Sequence, residues 1–366
     1  MIAWLEHEGL RNLVPGRVGL DADLVLVTGE NAQGKTSLLE GVYLLATTRS
    51  FRSARARDAI RLGAPRLVLR GGVAGPAGGE FTLGLELGRE RGARRLFVRE
   101  YPSKLAEYLG FLPVLVLAGD TPSRLAGSGS ERRRVLDRAT AVADGTHLRD
   151  LAEYRRALAQ RNRLLKEGAG DSQLEPWEEV LADRGQRVAA RRRALVAAWQ
   201  RHMAGWPDLF PEGSRARLRY VEEETRGAGT PGQEKEALAA ELARHRERDR
   251  KLGWTSVGPH RHDLRLDLGG IDLLRMGSAG QARAALAVLT LAQARVAAER
   301  RGGRRPVLVL DDVESDLDPG RLRALLAAAR GEGQVIASTA KPGLCEDVKA
   351  LRLAVRGGRI DEVGRG

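Results

Sequence analysis

Gly29-Glu30-Asn31-Ala32-Gln33-Gly34-Lys35-Thr36 decides how the rest of the chain is read. The stretch fits the spacing G-x-x-x-x-G-K-[ST], and its flanks fit as well. Leu24-Val25-Leu26-Val27 before it is an apolar run of buried-strand type. After it, Leu38, Leu39, Val42, Leu45 and Ala46 recur at helical spacing. A glycine-bearing loop between a strand and a helix N-terminus suits a phosphate group. Backbone N–H groups point at the anion there, and the helix dipole favours negative charge. Gly29 and Gly34 permit close backbone approach at positive φ. Lys35 is placed for the β- and γ-phosphates of a nucleotide and the Thr36 hydroxyl for Mg²⁺. Glu30, Asn31, Ala32, Gln33 and Ser37 complete the candidate cradle. Ala32 stands where glycine is frequent in such loops, which is tolerable if its φ is negative.

Two later motifs bear on the same chemistry. Val307-Leu308-Val309-Leu310-Asp311-Asp312 is an apolar run ending in two carboxylates. A strand of that kind delivers its acid to the C-terminal edge of a parallel sheet, where ligands sit. Asp311 is then placed to hold Mg²⁺ through its water shell, and Asp312 to act as general base toward an attacking water. Taken alone, the run is also that of a strand followed by an acidic turn. Gly277-Ser278-Ala279-Gly280-Gln281 precedes a long Ala/Leu-rich helix and reads either as an ordinary cap or as a second anion site. The order of the three motifs is similar to the layout of ABC-type ATPases, in which the serine-glycine motif binds the γ-phosphate on a partner subunit.

At 366 residues the chain has room for one large or two ordinary domains. Its formal charge of +13 favours a polyanionic partner, nucleic acid before membrane, although the many acidic residues also allow mixed-sign surfaces. The single cysteine, Cys345, excludes an internal disulfide and suits a reducing cytosol. The N-terminus lacks the pattern of a secretory signal, and no apolar run is long enough to span a membrane.

The fold class expected is α/β, an ABC-type lobe built from the first and last thirds, residues 1–120 and 254–366. A mainly helical insertion occupies 121–253. Strands are expected over 2–28, with Arg11-Asn12 in a turn, then an antiparallel meander over 67–98 and a buried strand at 112–117. Helical spacing dominates 130–203, with Pro176 in the first turn of its last helix. Strands alternate with helices from Leu264 onward, which suggests one mostly parallel sheet shared by the two outer thirds. Apolar heptads are not sustained, so no long coiled-coil arm is expected.

Several stretches together resemble the RecF family of SMC-related repair ATPases. They are GENAQGKTSLLEGVYLLATTRSFR from Gly29, GSERRRVLDRA from Gly129 and EYRRALAQRNRLLK from Glu153. VGPHRHDL from Val257, GSAGQARAALAVLTLA from Gly277 and VLVLDDVESDLD from Val307 complete the set. The resemblance implies ATP and Mg²⁺ as cofactors, an ATP-dependent homodimer, slow hydrolysis and binding to DNA at gaps or single/double-strand junctions. It also implies RecR and, indirectly, the RecA recombinase as partners. By position it places Lys35 and Thr36 in the phosphate loop, Asp311 on the metal and Asp312 as base. Ser278, Gly280 and Gln281 fall in the signature, Arg11-Asn12 near the nucleotide, and Thr339 after the last core strand as a γ-phosphate sensor. Ala279 interrupts the glycine-rich signature, His262 stands where the family often has an acid, and Ala118-Gly119 replace an expected Pro-Glu before Asp120.

Two other functions compete. A transporter ATPase subunit is usually much shorter and has no Arg-rich insertion. A GTPase switch would find some support in Ser338-Thr339-Ala340-Lys341 but lacks an Asn-Lys-x-Asp motif. Arg191-Arg192-Arg193 is a candidate phosphate contact for DNA, or else a solvated helix face with local Glu partners.

Overall fold

The computed structural model describes residues 1–75, 78–90, 92–210, 215–222 and 230–365. The chain begins with β1 (Ile2–Glu8), β2 (Gly16–Gly19), β3 (Leu24–Thr28) and α1 (Lys35–Thr47). Then come β4 (Arg66–Ala74), β5 (Glu80–Gly88), β6 (Arg94–Val98), β7 (Tyr101–Pro102), α2 (Leu105–Tyr108) and β8 (Val114–Leu117). The middle holds α3 (Thr121–Gly127), α4 (Gly129–Ala143), α5 (His147–Lys166), α6 (Asp171–His202) and β9 (Ala216–Val221). It continues with α7 (Pro231–Arg244), α8 (Arg246–Leu252), β10 (Asp263–Leu268), β11 (Ile271–Asp272) and α9 (Leu273–Met276). The last third is α10 (Ala279–Arg300), β12 (Val307–Leu310), α11 (Pro319–Glu332), β13 (Gln334–Thr339), β14 (Leu351–Arg356) and β15 (Arg359–Arg365).

These elements form two units. One comprises Met1–Pro122, Gly205–Ser214 and Ser278–Gly366, the other Ser123–Ala204 and Arg215–Gly277. The first unit contains two six-stranded sheets, not the single sheet expected from the sequence. The order β15-β14-β3-β13-β12-β8 is parallel except for β15. The order β2-β1-β4-β5-β6-β7 is antiparallel throughout. Residue pattern explains the split. β12 and β13 are buried at every position, as parallel strands covered on both faces must be. β4 and β5 mix buried and exposed positions and join through a hairpin. β8 is an edge strand, so Val114 to Val116 are only half-buried, less covered than the sequence suggests.

Helix α1 packs against strands of both sheets, with Leu38, Leu39, Val42, Leu44 and Leu45 fully buried. The two sheets are also joined through Gln334. Its Oε1 accepts from the Ile2 N–H at 2.7 Å, and its Nε2 donates to the Ile2 carbonyl at 2.9 Å and the Leu20 carbonyl at 2.7 Å.

In the second unit α5 packs on α6 and α6 on α7, around Tyr154, Ala157, Leu181, Ala182, Leu238, Leu242 and Val257. Arg161 is fully buried there, held by Asp249 at 2.7 Å and Glu178 at 3.0 Å. Residues 254–277, placed with the outer thirds on sequence grounds, belong to this unit because β10 pairs along its length with β9. Pro176 lies inside α6 instead of opening it. The helix starts at Asp171, where the Gln173 side chain accepts from the Gly170 N–H. Among the described residues no helix is long and apolar enough to cross a membrane.

Candidate nucleotide site

β3 lies between β13 and β14 in the parallel sheet, so its C-terminal end delivers the loop of residues 29–34 at the sheet's centre. Gly34, at φ 124°, is the N-cap of α1 and supplies no side-chain cap, and no acid stands in the first turn. The N-terminus of a thirteen-residue helix is thus left to an external anion. A Cβ at Gly34 would lie 2.6 Å from Leu13 Cδ2, and one at Gly29 would lie 2.5 Å from the Val355 carbonyl oxygen. Only glycine fits either place.

Ala32 adopts φ +64°, so the condition of a negative φ, under which alanine in place of the usual glycine is tolerable, is not met. Surrounding contacts hold it there. Asn12 Nδ2 donates to the Ala32 carbonyl at 3.0 Å, and Asn12 Oδ1 accepts from the Ser37 hydroxyl at 2.9 Å. The β14–β15 turn clasps the next residue: Gly358 N–H donates to the Gln33 carbonyl at 3.1 Å and Gly357 N–H to Gln33 Oε1 at 2.6 Å. Lys35 is buried, and its ammonium folds back to donate to the carbonyls of Gly29 at 2.8 Å and Glu30 at 3.0 Å. Glu30, Asn31 and Ala32 face solvent.

Arg11 is held by Glu40, a fully buried carboxylate in the middle of α1. The guanidinium is bidentate, at 2.9 Å through Nε and 2.8 Å through Nη2, and Nη1 donates to the Asp58 carbonyl. Ser50 and Arg52 converge on the same carboxylate. The hydrogen bonds to Glu40 raise the Arg11 pKa further above its ordinary value. Glu40 and Ser50 were not legible as functional residues, although a lone acid within Leu38-Leu39-Glu40-Gly41-Val42 signals a buried partner.

Asp311 ends β12 beside the loop. Its Oδ1 accepts from the Thr36 hydroxyl at 3.0 Å and the Ser338 hydroxyl at 2.6 Å. Burial pushes its carboxyl up from the usual range, and the hydroxyls only partly offset this. Asp312 stands at φ +50°, its N–H donating to Ser338 Oγ at 2.9 Å. Gly119 lies next to it, its ideal Cβ position 3.8 Å from Asp312 Oδ2, so the 118–120 segment borders the carboxylate pair. Thr339 is the last residue of β13, paired with Thr28 and fully buried, rather than beyond a final core strand. Its hydroxyl accepts from the Lys341 N–H at 3.0 Å.

Ser278 is the exposed N-cap of α10. Its Oγ accepts from the Gln281 N–H at 3.3 Å, and Gln281 Oε1 accepts from the Ser278 N–H at 3.2 Å. Gly280 passes close to the Asp316 carbonyl, which a Cβ would meet at 2.8 Å. Arg283, one turn further on, is buried. It donates to the carbonyls of Ala118 at 2.6 Å, Asp311 at 2.9 Å and Asp312 at 3.2 Å. Sequence reasoning missed this residue, which fastens the signature helix to the carboxylate pair.

No protein-family model matches the chain. It is 35% identical over 353 residues to the DNA replication and repair protein RecF of Geobacter sulfurreducens, covering 94% of this chain and 92% of that one. The chain belongs to the RecF family. A solved structure of the recombination mediator protein RecF with ATP, in the RecFOR pathway, superposes with a TM-score of 0.86. The identity there is 27%, with 99% of this chain and 97% of that one covered. An Smc head domain from Pyrococcus furiosus, 16% identical with a TM-score of 0.57, covers 99% of this chain and 95% of that one and shares the fold.

The residues of this RecF-family chain fit a nucleoside triphosphate and a hard divalent cation. The uncapped helix start, the glycine cradle and the Lys35 ammonium suit phosphate oxygens. Thr36 and Asp311 offer two oxygen donors side by side, the type Mg²⁺ takes together with phosphates. Among the described residues there is no group of three or more His, Cys, Asp or Glu that could hold a metal, so a cation here needs the phosphates to complete its shell. The arginine run of α6 does not offer free phosphate contacts. Arg191 pairs with Asp144 and Asp150, Arg192 is buried against Asp137, and Arg193 pairs with Glu222 and Glu234.

Proposed function

We propose that this chain is an ATP-driven, DNA-binding recombination mediator that works as a homodimer. The observation that carries the reading is the junction of Thr36 with Asp311, which joins phosphate loop to carboxylate strand. Family membership and the likeness to an ATP-bound RecF support it further.

In this reading Lys35 exchanges its two loop carbonyls for the β- and γ-phosphates, an exchange that only a compact cation on a flexible stem makes easily. The N–H groups of Gly34, Lys35, Thr36 and Ser37 line the phosphates, with Gly29, Glu30, Asn31, Ala32 and Gln33 shaping the cradle. Asn12 holds that cradle from outside, and Arg11, tied to Glu40, braces α1 behind it. Thr36 and Asp311 would hold Mg²⁺, which would supply charge neutralisation to the phosphate oxygens. Asp312 accepts a proton from the attacking water. Ser278 and Gly280, exposed or half-exposed at the start of α10, meet the γ-phosphate of a second copy, with Gln281 fixing the cap. Thr339 senses the γ-phosphate from the end of β13. ATP thereby favours the closed pair, which holds DNA at gaps or junctions, and slow hydrolysis releases it. RecR and, through it, RecA are the expected partners.

Size-exclusion chromatography with and without ATP, for the parent and Ser278→Arg, tests the reading. A dimer is expected only with ATP and the intact serine. A dimer that forms without ATP and survives the substitution overturns it.

A further inference from the structure

The GPHR-containing segment has no part in the nucleotide reading, yet it lines a cleft of about 790 Å³ within the second unit. Residues of α6, α7 and α8 form the other walls, and the volume is in the range of small-ligand sites.

The segment is fixed from inside by polar contacts. Thr255 donates through its N–H and hydroxyl to Asn162 Oδ1 at 2.8 and 2.7 Å, and Arg161 donates to the Thr255 hydroxyl at 2.9 Å. Ser256 N–H donates to Asp249 at 3.0 Å, and Arg192 to the Pro259 carbonyl at 2.7 Å. A backbone held this firmly presents its outward groups in one arrangement.

Those outward groups are of three kinds. The Trp254 indole is 49% exposed. Arg248 and Arg261 are exposed at the cleft, and Arg248 makes no hydrogen bond or ion pair among the described residues. Ser256 also lines the cleft. Its side chain is more than nine-tenths buried, and its hydroxyl has no hydrogen-bond partner. A buried hydroxyl left unpaired is costly, and this one is closed from solvent, so a ligand reaches it only if the wall shifts. On the facing wall Glu222 and Glu234 share Arg193 and Glu241 pairs with Arg244, so four arginines face three carboxylates around the cleft.

We propose that this cleft takes an unpaired nucleotide of single-stranded DNA. A base stacks on Trp254 and flanking phosphates meet Arg248 and Arg261. An aromatic face beside guanidinium groups is the chemistry that binds single strands without sequence preference, and the chain's net charge of +13 draws a polyanion. A cleft of this size does not admit a duplex. The proposal rests on the DNA-binding reading above and adds which part of a gapped substrate is recognised.

Fluorescence anisotropy on the full chain with ATP tests it, using a labelled oligothymidylate and a blunt duplex of equal length. Trp254→Ala is expected to weaken single-strand binding about tenfold and duplex binding by no more than about twofold. Trp254→Phe should restore most of the loss, and Arg248→Glu should weaken single-strand binding and flatten its salt dependence. Unchanged single-strand affinity in Trp254→Ala overturns the proposal. Equal losses on both DNAs also overturn it. A parent that binds neither DNA overturns the DNA reading itself, a different result from either.

Discussion

The Thr36 hydroxyl donates to Asp311 Oδ1 at 3.0 Å across a separation of 275 residues. Ser338 donates to the same oxygen, so one carboxylate gathers the start of α1 and the ends of β12 and β13. Asp311 is buried, and no ion pair to a cationic side chain compensates it among the described residues. Its charge is therefore held against the preference of its surroundings, as is common where a cation is to be bound.

Asp311→Asn should stabilise the nucleotide-free protein at neutral pH. A carboxyl whose folded pKa lies above its unfolded value contributes stability in acid and loses it as pH rises through the folded pKa. The expected gain is about 2–4 °C in Tm at pH 7, vanishing below about pH 4. The same variant should lose Mg²⁺-dependent ATP binding, measured by calorimetry. A lower Tm at neutral pH would show that the charge is not strained.

Ala32 tests the loop directly. A left-handed conformation costs an L-residue about 1–2 kcal/mol, while glycine loses roughly 0.5–1 kcal/mol to its freedom in the unfolded chain. Ala32→Gly should accordingly change Tm little and leave ATP affinity intact. Ala32→Val adds a β-branched side chain at φ +64° and should weaken ATP binding at least about tenfold. Equal affinity in the valine variant would place this residue in another conformation.

Asp312→Asn separates binding from chemistry. The side chain keeps its size but can no longer take a proton. ATP-dependent dimerisation and DNA binding should persist while phosphate release falls at least about 100-fold. Undiminished turnover would remove Asp312 as the base.

Local pattern carried much of this site. The loop spacing, the strand ending in Asp311-Asp312 and the Ser278 cap each lie within a few residues of chain, and the structure forms a loop before α1, a strand end and a helix cap at those residues. What stayed hidden depends on distant partners. Two antiparallel pairings, β1 with β4 and β9 with β10, redistribute strands that look alike in sequence, hence two large sheets and a second unit that claims 254–277. Glu40 and Arg283 share an overlooked signal: each is a lone charge in an otherwise apolar helical run, and each is buried on a long-range network. Ala32 could not be placed because φ follows from the clasp of Asn12 and the Gly357-Gly358 turn, both far away in the chain.

The GPHR segment predicts acid sensitivity. His260 Nε2 meets the Thr255 carbonyl at 2.9 Å and must carry its proton there, so Nδ1 accepts from the Tyr154 hydroxyl at 2.6 Å. Burial, with Thr255 only partly opposing, lowers His260 to about 4, and burial together with Arg192 lowers His262 to about 3. A base depressed in the folded state contributes stability above its unfolded pKa, here 6.5, and loses it as pH falls toward the folded value. Tm should fall between pH 6.5 and about 4. The double variant His260→Gln and His262→Gln should start lower and show a flatter slope across that window. An unchanged slope would assign the acid loss to other groups.

Arg283 links the start of α10 to the carboxylates through three carbonyls, and a guanidinium alone has the planar fork to span them. Burial lowers its pKa, although the Asp316, Asp311, Asp312 and Glu314 charges nearby oppose this. Arg283→Met leaves the Asp311 carbonyl without its donor, while Ala118 and Asp312 keep the N–H groups of Thr121 and Ser315, and should cost about 1–2 kcal/mol of stability. Arg283→Lys keeps the charge but cannot reach all three at once. In both variants the ATP affinity of the isolated chain should stay near that of the parent, because the phosphate cradle is built from other residues. Hydrolysis per bound ATP should fall about 10- to 100-fold, since the backbone that carries Asp312 loses the contacts that fix it. Lysine should recover part of the loss. Separate measurement of ATP binding and single-turnover hydrolysis makes the distinction, and a variant that hydrolyses bound ATP at the parental rate would reduce Arg283 to a packing residue.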